Sequence, residues 1–211
     1  EAEMMENLKK FIAIDSTYDE STVNEDNPFG KGVSKALQFI AELARKDGFI
    51  VNNYGNYVVE ILTNELDKNI TIMAHADIVP VGTGWPQDPF TMVEKDGFLY
   101  ARGVADDKGP LLSCYYGLKA LRDNNLLGNY QVRFLVGGNE ERGSACMEHY
   151  FHTLKKQSQL WTLSKLNEEQ IGQIKLFPRC IELRIGGKNL ALCHFANDVR
   201  IDFGERSTWS Y

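Results

Sequence analysis

The stretch "NITIMAHAD", residues 69–77, sets a nearly continuous apolar run directly before a histidine and an aspartate. A run this short, bounded by polar residues, predicts a strand covered on both faces. A second run, "QVRFLV" at residues 131–136, ends on Gly137-Gly138 and then Asn139-Glu140-Glu141. Outward from these two strands, helical and strand periodicities alternate. Met4 to Ile14 carries Met5, Leu8, Phe11, Ile12 and Ile14 near helical spacing. After a polar, acidic loop through Asn27, a second helix follows, with Val33, Ala36, Leu37, Ile40, Leu43 and Ala44 as its apolar stripe. Asp47-Gly48 stops it. Phe49 to Val51 and Tyr57 to Leu62 read as strands joined by a turn at Asn52 to Asn56, and Phe98 to Ala101 as another. Pro110 to Arg122 is helical, with Leu111, Cys114, Tyr115, Leu118 and Leu121 on one side, and Ser144 to Leu154 is a further helix. The alternation predicts an α/β fold, a three-layer mixed sheet with helices on both faces.

Composition bounds the function. The 211 residues are 43% hydrophobic and 25% charged, an ordinary globular balance with enough chain for a sizeable core. A formal net charge of −6, with no Lys/Arg run, argues against nucleic acid as a partner. No apolar stretch is long enough to span a membrane, and no signal segment opens the chain, so no membrane partner is expected. The four cysteines, Cys114, Cys146, Cys180 and Cys193, lack CxxC spacing. They read as small buried hydrophobes in a reduced, cytoplasmic protein.

The chemistry-bearing residues fall where open α/β sheets bind ligands, beyond the carboxyl ends of strands. His75 and Asp77 follow "NITIMA", Glu140-Glu141 follow "QVRFLV", and Asp106-Asp107 follow "FLYA". Three strand ends are thus expected to deliver His, Asp and Glu to one edge of one sheet. That inventory of imidazole nitrogen and carboxylate oxygen suits zinc. Each piece alone has a plainer reading. A lone histidine is usually a hydrogen-bonded core residue, but Asp77 can reach back to the second ring nitrogen of His75 and orient it. Asp107 reads as a helix cap with Pro110 in the first turn, which leaves Asp106 unexplained. "NEE" recurs at residues 167–169 in an ordinary helical context, so the tripeptide is weak until the preceding strand is counted. The conjunction carries the case.

Three successive segments, "HADIVPVGTGWPQDPF" (75–90), "ARGVADDKGP" (101–110) and "GGNEERGS" (137–144), resemble the signatures of the M20 family of zinc peptidases. The likeness is strongest to its PepV-like dipeptidase subgroup, which residues 27–61 also resemble. It covers residues 5–155. The resemblance implies that His75 binds one zinc, that Asp77 clamps its imidazole, and that Asp106 bridges two zinc ions with a cis peptide bond after it. It further implies that Glu140 is the general base, that Glu141 binds the second zinc, and that the substrate is a small peptide hydrolysed without a covalent intermediate. Ser16-Thr17 and the cysteines are then structural.

Residues 1–155 are accordingly expected to form a zinc-peptidase catalytic domain, incomplete in itself, and 156–211 an unmatched tail. The family's Pro-Asp-x-x-Phe-Pro segment, its inserted lid domain and its late histidine ligand have no counterpart in that tail. A helix at Lys165 to Ile174, a hairpin of Ile181 to Ile185 with Leu190 to Phe195, and a strand at Val199 to Phe203 are expected there. His194, Asp198 and Asp202 are the residues that could replace missing ligands. Two other functions fit the family: an M20 deacylase of N-acyl amino acids or succinyl-diaminopimelate, and a degenerate homologue without catalysis.

Overall fold

The computed structural model describes residues 2–164, 167–168, 180–185 and 188–193, with side chains described through 157 and at 164, 167 and 168. The chain divides into two compact units, Glu1–Lys155 and Lys156–Tyr211.

Helix α1 (Ala2–Ile12) buries Leu8, Phe11 and Ile12, and α2 (Lys31–Lys46) buries Val33, Ala36, Leu37, Ile40, Ala41, Leu43 and Ala44, the stripe its period predicts. Gly48, at φ +80°, ends α2 in a conformation that a side chain would resist. Strands β1 (Ile50–Tyr54) and β2 (Val58–Leu62) form an antiparallel pair, so Asn52 and Asn53 belong to a strand and the turn is shorter than expected. β3 (Asn69–His75) follows, then β4 (Val93–Lys95) and β5 (Phe98–Tyr100), then α3 (Lys108–Asp123), β6 (Gln131–Gly137) and α4 (Ala145–Ser164).

The main sheet has the order β1-β2-β6-β3, antiparallel except for the parallel β3–β6 pair. Gly137 and Gly138 show the layering, since successive strand residues point to opposite faces. A methyl group on Gly137 would meet Cys146 and Met147 of α4, whereas one on Gly138 would meet Val33 and Leu37 of α2. Helices therefore cover both faces, giving the expected three layers. Buried Glu60 of β2 ties α4 to the sheet by accepting from Tyr150 Oη at 2.7 Å.

Three expectations need correction. Among the described residues β3 is an edge strand, paired with β6 alone, and Ile70 and Met73 are 50% and 63% exposed. An apolar run does not reveal how many neighbours a strand has. Second, β5 lies outside the main sheet. It pairs with β4 through Asp96-Gly97, both at positive φ (+54° and +78°), a two-residue hairpin turn that the sequence signals in its Asp-Gly. Third, the buried face of α3 runs through Leu111, Leu112, Tyr115 and Leu118, while Cys114 and Leu121 are exposed. In the second unit, β7 (Cys180–Ile185) and β8 (Lys188–Cys193) form an antiparallel pair, close to the expected hairpin. The helix at Lys165 to Ile174 and the strand at Val199 to Phe203 lie outside the described residues, apart from 167 and 168. His194, Asp198 and Asp202 lie outside them too.

Candidate metal centre

Parallel pairing explains the site. β3 and β6 run in register from Asn69↔Gln131 to His75↔Gly137, so both strands stop at the same edge, and the Ala76 N–H continues the ladder to the Gly137 carbonyl at 2.8 Å. The loops leaving His75 and Gly137 must therefore lie side by side. In the second of them a short 3-10 turn, Glu140–Arg142, begins. Asp77 locks the two loops together: its Oδ1 accepts from the Glu140 N–H and its Oδ2 from the Glu141 N–H, each at 3.1 Å.

Asp77 also orients the imidazole, chiefly through its main chain. His75 Nδ1 lies 3.0 Å from the Asp77 carbonyl oxygen and 3.4 Å from Asp77 Oδ1. A carbonyl oxygen only accepts, so Nδ1 carries the proton and Nε2 faces the open side of the site. Nε2 is 3.0 Å from Asp106 Oδ1 and 3.8 Å from Glu140 Oε2. Ligand atoms of His75, Glu140 and Glu141 all lie within 4.8 Å of one another. The structure thus gathers all five residues singled out in the sequence.

Asp106 reaches this place from the turn before α3, not from a strand of the main sheet. The Asp106–Asp107 peptide bond is cis, as the family resemblance implies. Asp107 occupies the N-cap position of α3 yet makes no side-chain cap; its Oδ2 accepts from the His75 N–H at 3.1 Å. A sequence reading assigns that carboxylate to the helix because capping is local, whereas its actual partner is 32 residues away.

Electrostatics favour a cation here. Asp77, Asp106, Asp107, Glu140 and Glu141 surround one imidazole. Burial pushes the Glu141 carboxyl above the usual range and Asp106 adds to it; burial and Asp106 likewise raise Asp107 against the pull of His75. Burial works against charge on His75, but the hydrogen bond and charge of Asp77, aided by Asp107, carry it up to about 9. The surrounding carboxylates thus favour a second proton at Nε2. A divalent cation at that nitrogen would take the proton's place and meet the same carboxylates. The donor set, one imidazole nitrogen and several carboxylate oxygens, fits zinc. Asp106 and Glu140 side chains are 74% and 56% exposed, so the centre is open to water and to small molecules. A cavity of about 280 Å³ adjoins it, lined by Met73, His75, Asp107, Glu140, Cys146 and Met147 among others.

Residues 71–194 match peptidase family M20/M25/M40. The chain belongs to this family. It is 39% identical to YtjP of Bacillus subtilis (strain 168) over 149 residues, covering 71% of this chain and 32% of the relative. Identity to the Beta-Ala-Xaa dipeptidase of Lactobacillus delbrueckii subsp. lactis is 37% over 148 residues, with 70% and 32% covered. Among solved structures, the M20 family metallo-carboxypeptidase Sso-CP2 from Sulfolobus solfataricus aligns at 30% identity and a TM-score of 0.57, covering 67% of this chain and 32% of that one. Human carnosine dipeptidase 1, at 24% identity and a TM-score of 0.59, shares the fold over 71% of this chain and 34% of its own. The M20 chain thus spans about a third of the length of the relatives it matches. No helix among the described residues is long and apolar enough to cross a membrane.

Proposed function

We propose that this chain carries half of a zinc dipeptidase centre, with His75, Asp106 and Glu141 as metal ligands, Asp77 as the residue that orients His75, and Glu140 as general base. The observation that carries the reading is the convergence of the imidazole and both glutamates at the joint end of β3 and β6. Zinc, when bound, supplies Lewis acidity and lowers the pKa of a bound water towards about 7. Glu140 is the residue to hold a proton from water at its carboxylate and return it to a leaving amine, since its side chain is free to solvent beside Nε2. Dipeptides are the favoured substrate class because the Beta-Ala-Xaa dipeptidase is among the relatives above 30% identity. A cytoplasmic setting belongs to the same reading and is supported by the free thiols of Cys114 and Cys146.

Among the described residues, three protein ligands would serve two zinc ions, whereas a catalytic zinc ordinarily takes three protein ligands of its own. We therefore expect the isolated 211-residue chain to hold less than two equivalents of zinc and to hydrolyse dipeptides slowly. Metal analysis of the purified chain, paired with a dipeptide hydrolysis assay, tests this. Two tightly held ions with fast turnover would point to His194, Asp198 or Asp202 as further ligands. The division of labour is tested by Glu140→Gln, expected to lower hydrolysis by about 10²–10⁴-fold with zinc content kept, and by Glu141→Gln, expected to lose zinc. Equal zinc loss in the two variants would mean the roles are misassigned.

A further inference from the structure

The two turns that bring His75 and Asp106 together are both fastened to a third segment that supplies no ligand. Lys108, two residues after Asp106, is wholly buried. Its Nζ donates to the carbonyls of Phe11 at 3.1 Å and Ile14 at 2.6 Å, and lies 5.0 Å from the Phe11 ring centroid. Ile14 lies beyond the end of α1, so the lysine binds the connecting segment as well as the helix terminus. On its other side the same segment grips the chain after β3. Ser16 Oγ donates to the Ala76 carbonyl at 2.7 Å, the Ile78 N–H donates to the Ser16 carbonyl at 3.3 Å, and Thr17 and Ile78 form a parallel bridge. The segment has little room to shift, because a methyl group on Gly32 of α2 would fall 2.0 Å from the Asp15 carbonyl oxygen.

A lysine head group buried this deeply gives up its hydration, and a core of this size could be closed by an apolar side chain instead. Its position asks for a further explanation. Residues 11–16 form a bracket with Lys108 on one side and Ala76 on the other; Lys108 directly follows Asp106-Asp107, and Ala76 lies between His75 and Asp77.

We propose that Lys108 and Ser16 are positioning residues that set the spacing between Asp106 and His75, and so the affinity of the centre for a divalent cation. The inference rests on the reading of His75 and Asp106 as ligands. Neither residue touches the ion or substrate; both act by holding a turn in place.

Zinc affinity, measured by competition with a chromophoric chelator on the full 211-residue chain, tests it. Lys108→Met and Ser16→Ala should each weaken binding by about tenfold or more, the usual effect of losing a group that orients a ligand. Leu112→Ala, which opens the core of the same helix, should leave affinity within about twofold. A second readout needs no metal: the His75 amide, bonded to Asp107 Oδ2, should exchange its hydrogen faster in Lys108→Met, while the Ala76 amide, bonded to the Gly137 carbonyl, should not. General loosening of the fold would speed both. If Lys108→Met does not fold, Ser16→Ala carries the test. Wild-type affinity in both variants, beside a loss in Asp106→Asn, overturns the positioning role alone. Unchanged affinity in Asp106→Asn and His75→Ala overturns the ligand reading, and the positioning role with it.

Discussion

β3 and β6 lie side by side, run parallel, carry apolar runs of similar length and end on site residues, yet only one of them is buried. β6 is covered along nearly its whole length, with Phe134, Leu135 and Val136 inaccessible to solvent or almost so, whereas β3 leaves Asn69, Ile70, Thr71 and Met73 exposed. The difference is one of neighbours. β6 has β2 on one side and β3 on the other, with α2 and α4 across its faces; among the described residues β3 has a strand neighbour on one side only, β6, with α3 packed against it. Burial of a strand therefore follows from its place in the sheet order, which hydrophobicity does not encode. The end of β3 escapes this exposure, because Asp77 and Asp107 close over His75 and bring it to 7% exposed.

If that contrast is right, truncation should hurt most at the centre. Phe134→Ala should destabilise the chain by about 3–5 kcal/mol in urea unfolding. A cost under about 1 kcal/mol would mean β6 is not the middle of the core. At the shared strand end, Asp77→Asn removes one of two acceptors for the Glu140 and Glu141 amides. We expect zinc binding weaker by about 10–100-fold, with a smaller effect on the unfolding midpoint of the metal-free chain. Equal zinc affinity would show that the main-chain carbonyl of Asp77 suffices to orient His75. The smallest effect is expected on the open edge. Ile70→Thr keeps a β-branched side chain on a half-exposed position and should cost no more than about 1 kcal/mol, with less light scattering on concentration. A cost approaching that of Phe134→Ala would mean β3 is covered in solution.

Much of the fold is legible in particular residues. The stripe of α2 and its stop at Asp47-Gly48 are local features, set by a 3.6-residue period and by a glycine at positive φ, and they come through nearly unchanged. The same holds for β2 and β6. Cys114 and Leu121 show where local reading fails: both lie on a helical spacing that includes buried Leu111 and Leu118, but the face of α3 turned to the core is rotated towards Leu112. Periodicity gives a stripe about 100° wide; which edge of it meets the core depends on what packs there. The partner of β5 escapes a sequence reading although Asp96-Gly97 marks its turn, because the flanking Val93 to Lys95 is too short and polar to stand out.

The site divides along the same line. Three separated motifs in order are enough to establish the family, and they mark His75, Asp77, Asp106, Glu140 and Glu141 as one constellation, because residue type and strand-end position are both written locally. The α/β class is legible in the same way. Packing in three dimensions makes β3 an edge and brings Asp106 in from a helix start. It also pairs Asp107 with the His75 amide and Lys108 with the end of α1. Those pairings join residues 32 and 94–97 positions apart. A hydrogen bond formed across such a separation depends on where packing places two backbones, and no local pattern of side chains records that.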